Sequence, residues 1–189
     1  MEARVIYIKN MVCRRCIMAV EELLRRLGYT VVEVNLGSAE VKEPIDAAGL
    51  ARIKAELQAI GFELIDDRRM RMVEQVKNAV VELVHYQDET PRTNLSDYIA
   101  DKCRLDYGTL SRLFTEMAGV SIEKYYIAQR VERVKELLAY GELSVSEIAY
   151  KLHYSSAAHL SSQFRSVTGM SPRAFRELGS RQRLPLDQI

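Results

Sequence analysis

The chain has 189 residues, 48% of them hydrophobic and 28% charged, with a formal net charge of +1. That is room for one ordinary domain or two small ones, and it excludes a disordered chain and a strongly basic, non-specific nucleic-acid coat. No apolar run approaches the roughly 18 residues that would cross a membrane, and three cysteines cannot build a disulfide framework. The opening Met-Glu-Ala-Arg runs straight into a strand pattern, so no signal peptide is expected and the expected location is cytoplasmic. Residues 1–67 carry 9 Lys/Arg against 11 Asp/Glu, leaving 18 against 15 in the rest, a weak basic tilt towards the C-terminus. If the chain binds DNA, the placement of charge matters more than its total.

In chain order, residues 3–9 are rich in β-formers and read as a strand. Residues 16–27 place Ile17, Val20, Leu23, Leu24 and Leu27 at helical spacing, and Gly28 ends the run. Residues 30–36 alternate, Gly37-Ser38 turns, and residues 40–43 return as a second strand of a hairpin. Residues 47–60 are helical, with Leu50, Ile53, Leu57 and Ile60 on one face and Gly61 as the stop. Residues 62–65 make a fourth strand. The order βαββαβ in about 65 residues is the split βαβ, ferredoxin-like arrangement.

Between the first strand and the first helix lies Asn10-Met-Val-Cys-Arg-Arg-Cys16. Two thiols three residues apart at a helix N-terminus can face one ion. The helix dipole with Arg14 and Arg15 is expected to favour the thiolate. Two soft sulfur ligands suit Cu(I), and by the same softness Ag(I) or Hg(II), whereas zinc asks for four ligands. No His precedes His85, so a zinc site would have to be shared between two chains.

Asp66-Asp-Arg-Arg69 is a charged break and the expected domain boundary. From Met72 the pattern turns helical through Val73, Val76, Ala79, Val80, Leu83 and Val84, and residues 87–93, with Pro91, end that helix. The remainder of the chain repeats itself. Leu110-Ser-Arg-Leu-Phe114, Gly119-Val-Ser121 and Tyr125 recur fifty residues on as Leu160-Ser-Ser-Gln-Phe164, Gly169-Met-Ser171 and Phe175. Ile99-Ala100 and Lys102 recur after forty-nine as Ile148-Ala149 and Lys151. A helix, turn and helix used twice is expected.

In the first copy Leu95, Ile99 and Cys103 are expected to face inward, Arg104-Leu105 to turn, Asp106 to cap, and Leu110, Leu113 and Phe114 to be buried. In the second, Val145 and Ile148 lead, Ser155 or Ser156 caps, and Leu160 and Phe164 are buried. Ala157, Ala158, His159, Ser162 and Gln163 are expected on the open face. A long helix opened by Ser121 joins the copies, with a core stripe at Ile127, Val131, Val134 and Leu138. Its 20 or so residues span roughly 30 Å, close to the ~34 Å between successive major-groove windows.

The second copy, from Ser144-Val-Ser-Glu-Ile-Ala-Tyr-Lys-Leu through His159-Leu-Ser-Ser-Gln-Phe164 to Ser171-Pro-Arg-Ala-Phe175, resembles the DNA-binding domain of AraC/XylS regulators. Leu110–Phe114 and Arg130-Val-Glu-Arg-Val-Lys-Glu-Leu-Leu138 extend the likeness over residues 72–178. The resemblance implies recognition helices at about 107–117 and 156–166. Base contacts would fall on Gly108, Thr109, Ser111 and Arg112, and on Ala158, His159 and Ser162. Lys102, Lys151, Arg165 and Arg173 would meet phosphates, which position without specifying. The family commonly has glycine where His153 stands and a long polar residue where Ser162 stands. Arg112 is the best candidate for a bidentate guanine contact. Its alternative is a salt bridge to Glu116.

The cysteine loop resembles the heavy-metal-associated domain of copper chaperones and metal-transporting ATPases, through Met11, Cys13 and Cys16 and through Gly61-Phe62. Asn10 replaces the usual glycine. By this resemblance Cys13 and Cys16 would ligate, with a packing or minor role for Met11. Cys103 reads as a buried hydrophobe.

The expected organisation is a ferredoxin-like α+β domain at 1–67, a connecting helix at 68–90, an all-α domain with two helix-turn-helix motifs at 91–180, and a tail at 181–189. The expected function is a DNA-binding transcription regulator, not an enzyme, whose partners are double-stranded DNA and a soft metal ion such as Cu(I), with no membrane. The alternatives are a thiol redox switch at Cys13 and Cys16, an N-terminal domain that is only a dimerisation or interaction module, and, from another class, a metallochaperone or thiol oxidoreductase.

Overall fold

The computed structural model describes residues 4–87, 94–178 and 185–188. The start of the first strand at Ala3, the helix end around Pro91 and Thr93, and most of the tail from 181 onward lie outside the described residues. The chain divides into two compact units, Met1–Asn78 and Ala79–Ile189.

The first unit runs β1 (Arg4–Lys9), α1 (Arg14–Arg26), β2 (Val31–Asn35), β3 (Ser38–Val41), α2 (Ala47–Ala59) and β4 (Glu63–Leu64). The strands form one antiparallel sheet in the order β2-β3-β1-β4, with Ile6 opposite Ala39 and Ile8 opposite Leu64. Alternation along β1 buries Ile6 and Ile8 and leaves Val5 outside. Val20, Leu23 and Leu24 of α1 and Ile53 and Leu57 of α2 close the core against that face. Ile60, expected on the buried stripe of α2, is 47% exposed, because the helix has ended at Ala59 and Ile60 is its C-cap.

The hairpin also departs from simple alternation. The register slips between Val31 and Glu33, so one residue of β2 bulges and Val32 turns outward. The return strand begins at Ser38 rather than Glu40, and Glu43 leaves it to accept a 2.7 Å hydrogen bond from the Thr30 amide. Gly37 makes the turn at φ +85°, and a Cβ there would lie 2.1 Å from the Asn78 amide nitrogen. Only glycine satisfies both conditions.

After the charged residues Asp66 and Asp67 comes a helix, α3 (Arg68–Val81), which begins where the connecting helix is expected and ahead of the apolar pattern at Met72, with Asp67 accepting from the Met70 amide at 2.9 Å. Up to Asn78 it is held to the sheet. Arg71 donates to the carbonyls of Ile65 and Asp66 and lies 4.7 Å over the Tyr7 ring, and Asn78 donates to the Leu36 carbonyl at 3.1 Å. Residues Glu82–Tyr86 continue it as one π-helical turn, a feature no periodicity announces.

The second unit is helical: α4 (Leu95–Cys103), α5 (Tyr107–Ala118), α6 (Ile122–Tyr140), α7 (Val145–Lys151), α8 (Ala157–Thr168) and α9 (Pro172–Leu178). Val131, Val134 and Leu138 of α6 join Ile148, Leu160, Phe164 and Phe175 in one core. Ile127 is only partly buried. The buried surface of α6 is wider than the expected stripe and includes Gln129 and Glu132. Gln129 donates to the Tyr125 hydroxyl at 3.0 Å and meets His85 of the π-turn at 3.0 Å, so its burial is compensated. Glu132 is neutralised by an ion pair with Lys135.

Candidate nucleic-acid interface

Two helix pairs, α4–α5 and α7–α8, are built alike. Asn94 caps α4 through the Asp97 amide at 2.9 Å, and Asp106 caps α5 through the Thr109 amide at 2.8 Å. Ser144 and Glu147 form a reciprocal capping box on α7, and Ser156 rather than Ser155 caps α8 through the His159 amide at 3.0 Å. The turns are equivalent too. Arg104 after α4 and His153 after α7, forty-nine residues apart, both sit in left-handed backbone at φ +53° and +54°. That geometry explains why glycine is the natural residue at either site.

Each second helix is anchored by a phenylalanine. Phe114 packs against Tyr125 and Phe164 against Phe175, with ring centroids 5.6 Å apart in both. Leu110 and Leu160 are buried beside them. Leu113, expected in the core, is only half-buried, and Tyr98 takes a core position instead. Ser121 caps α6 through the Lys124 amide. The 19 residues of α6 run about 28 Å at ~1.5 Å each.

The faces turned away from these anchors carry the predicted base readers. Gly108, Thr109 and Arg112 on α5, and Ala158, His159 and Ser162 on α8, are exposed, and Ser111 is half-buried. The Arg112 Nε lies 3.4 Å from the Gly108 carbonyl, one turn back on its own helix. Hydrogen bonds from Thr109 hold the Asp106 carboxyl below its usual range, with the Arg112 charge adding to the effect. His159 is tethered: its Nδ1 lies 3.0 Å from the Ser155 hydroxyl, and its ring stands edge-on to Tyr154 at 5.4 Å. Gln163 and Ala157, expected on the open face, are half-buried, and Gln163 accepts from the Tyr154 hydroxyl at 2.8 Å.

All four predicted phosphate-facing cations, Lys102, Lys151, Arg165 and Arg173, are exposed, but two are engaged within the fold. Lys102 pairs with Glu82 at 2.8 Å and Arg173 with Glu177 at 3.2 Å. Exposed pairs of this kind are worth little and can be exchanged for a phosphate.

Sequence reasoning missed Arg130. Its guanidinium donates to the Leu152 carbonyl at 2.8 Å and lies 3.8 Å over the Tyr154 ring and 5.4 Å over Tyr126. It also missed the hydrogen bond from Tyr107, first residue of α5, to Glu123 in the first turn of α6. The Tyr at 154 beside a left-handed turn was the available signal. Cys103, expected as a buried hydrophobe, is half-buried, and that burial pushes its thiol up to about 11.

In the first unit, Cys13 is the N-cap of α1 and its Sγ lies 3.3 Å from that of Cys16. Two sulfurs within about 4.6 Å can both reach one ion at ~2.3 Å. Met11 is 1% exposed and belongs to the core, so its part is packing. No group of three or more His, Cys, Asp or Glu that could hold a metal occurs among the described residues. Two sulfurs at this distance make a two-ligand set, the kind that suits a soft ion of low coordination number. One expectation fails: burial raises the Cys16 thiol above its ordinary value, against a lowering by the Val12 backbone, while Arg14 and Arg15 are exposed to solvent. Asn10, in place of glycine, holds φ +71° and donates to the Gly61 carbonyl at 3.2 Å. Asn is among the residues that tolerate that conformation.

Residues 99–178 match the family described as a helix-turn-helix domain. The chain is 32% identical over 93 residues to the HTH-type transcriptional activator RhaS of Escherichia coli, covering 49% of this chain and 32% of that protein. It thus spans about a third of the length of the curated relatives it matches. Among solved structures, the C-terminal domain of AraT, a response regulator from Geobacillus stearothermophilus, is similar with a TM-score of 0.50 at 22% identity, covering 63% of this chain and 92% of that one. A transcriptional regulator from Chromobacterium violaceum described as containing an AraC-type DNA-binding domain is 28% identical, covering 57% of this chain and 94% of that one, with a TM-score of 0.49. No helix among the described residues is long and apolar enough to cross a membrane.

Proposed function

We propose that the C-terminal part, which matches a helix-turn-helix domain over residues 99–178, is an AraC-type DNA-binding domain, and that the whole chain is a sequence-specific transcription regulator responsive to a soft metal ion. In this reading α5 and α8 are the recognition helices of two motifs and enter successive major-groove windows. The observation that carries it is the repeat of cap, left-handed turn and phenylalanine anchor, which leaves the same face of both helices exposed. The ~28 Å length of α6 fits that spacing. Arg112 is the strongest base reader, and Lys151 and Arg165 the strongest phosphate contacts. No enzymatic step is assigned.

The sheet order and βαββαβ sequence of the first unit support a ferredoxin-like, heavy-metal-associated reading. Cys13 and Cys16 would hold Cu(I) between two sulfurs. The ion can alter DNA affinity only by binding two states of the protein unequally, and the helix continuing through Glu82–Tyr86 is where such a change would pass. Titrating Cu(I) into the protein on a DNA fragment upstream of its own gene tests this. A Cu(I)-dependent shift in affinity, lost in Cys13→Ser, is expected. DNA binding indifferent to Cu(I) removes the sensor and leaves the regulator.

A second reading is favoured by the 3.3 Å between the sulfurs. Thiol–disulfide exchange with a small disulfide would join Cys13 to Cys16 and release two small thiols. It predicts a change in DNA affinity on oxidation of metal-free protein.

A further inference from the structure

The two helix pairs differ at repeat-related positions. Where the second pair has Tyr154 and Gln163, the first has Leu105 and Leu113. In the second pair, Tyr154 is 7% exposed and stands at the junction of three elements. From α6, Arg130 covers its ring at 3.8 Å and holds the carbonyl of the neighbouring Leu152 at 2.8 Å. Towards α8, its hydroxyl donates to the Gln163 Oε1 at 2.8 Å, and its ring meets the edge of His159 at 5.4 Å. Of the four, only His159 lies on the open face.

In the first pair the equivalent positions, Leu105 and Leu113, carry no polar side chain to form such a link. The second helix of that pair is tied to α6 by Tyr107, whose hydroxyl donates to the Glu123 carboxylate. Position 157, the repeat equivalent of Tyr107, is alanine. Each second helix is thus fixed to α6 by its own tyrosine, through different residues.

We infer that Arg130 and Tyr154 form a positioning clamp that sets the orientation of α8 and of His159, and so determines how selectively the second window of DNA is read. This rests on the assignment of α8 as a recognition helix. Small side chains at Ala158 and Ser162 give α8 few base-edge donors of its own. A helix with so few direct contacts discriminates only if the remaining one, His159, is held in place. A guanidinium stacked on a ring and bonded to a turn carbonyl holds that geometry with little loss of conformational freedom. A mispositioned donor loses its hydrogen bond whether or not the domain stays folded.

The test is selection of duplexes from a randomised pool by the full chain, with base preferences read separately in each window. Wild type is expected to select two blocks. Tyr154→Phe keeps the ring and deletes only the hydroxyl. It is expected to reduce preference in one block by about five-fold, the worth of one hydrogen bond, and leave the other block intact. Gln163→Leu, which installs the residue of the first pair, should do the same. It serves as the independent variant if Tyr154→Phe melts early. Tyr107→Phe should affect the opposite block. If folded Tyr154→Phe and Gln163→Leu retain both blocks, or lose both equally, the clamp has no role in reading and the inference is overturned. If wild type selects no sequence at all, it is the recognition-helix assignment that fails.

Discussion

The α4–α5 pair and the α7–α8 pair share a plan, yet they spend their polar side chains differently. The first places Arg112 on its exposed face and leaves Leu105 and Leu113 half-buried behind it. The second exposes Ala158, His159 and Ser162, and turns Tyr154 and Gln163 inward as a hydrogen-bonded pair under Arg130. A duplicated unit therefore need not carry a duplicated function. One copy has the side chain suited to reading a base, and the other has the internal bonds suited to holding a shape.

The phenylalanine anchors give the largest test of the shared plan. Phe114→Ala and Phe164→Ala should each lower stability by about 3–5 kcal/mol in denaturant unfolding of the full chain. A much smaller loss for either would mean that the two cores are not equivalent.

The difference between exposed faces predicts the next effect. Arg112→Ala should weaken specific DNA binding by about 1–3 kcal/mol, whereas Ser162→Ala should stay within about 0.5 kcal/mol. Equal losses, measured by fluorescence anisotropy on one selected duplex, would erase the asymmetry.

The turns are predicted to behave alike. Arg104→Gly and His153→Gly remove a side chain from left-handed backbone, at φ +53° and +54°. Each should stabilise the protein by about 1 kcal/mol in thermal unfolding. A destabilised His153→Gly would show that the imidazole makes a contact that outweighs the strain.

The caps supply the smallest effect, and here the pairs diverge. Asp106 caps α5 with a carboxylate whose pKa is lowered by hydrogen bonds from Thr109, while Ser156 caps α8 with a hydroxyl. A depressed folded pKa contributes stability above the unfolded value of about 4, which is lost as pH falls through the folded value. Amide protection in α5, measured against the intrinsic exchange rate at each pH, should therefore fall on acidification before that in α8. Asp106→Ser should remove the difference.

Much of the fold and of the exposed helix faces was legible in the sequence because it was local and repeated. Asp106, Ser121 and Gly119 mark helix ends by backbone chemistry alone, and Leu110, Phe114, Leu160 and Phe164 mark the buried faces by spacing. The βαββαβ order followed from short periods and turns. The features that stayed hidden depend on partners distant in sequence. Arg130 looks like a solvated helix cation until Tyr154 and the Leu152 carbonyl arrive from α7's end. Gln163 looks exposed until Tyr154 bonds it. Glu43 belongs to a strand pattern but is drawn off by Thr30, and Cys16 sits beside two arginines, yet burial governs its thiol. The π-turn at Glu82–Tyr86 has no pattern of its own to announce it.

The proposed unequal reading of two DNA windows by one chain is open to direct measurement. The wild-type protein is titrated against duplexes in which each base pair of a selected site is changed in turn. Two runs of sensitive pairs about 10 bp apart are predicted, with penalties of about 1–3 kcal/mol per pair in one run and smaller ones in the other. A single run, or two runs of equal penalty, would contradict it.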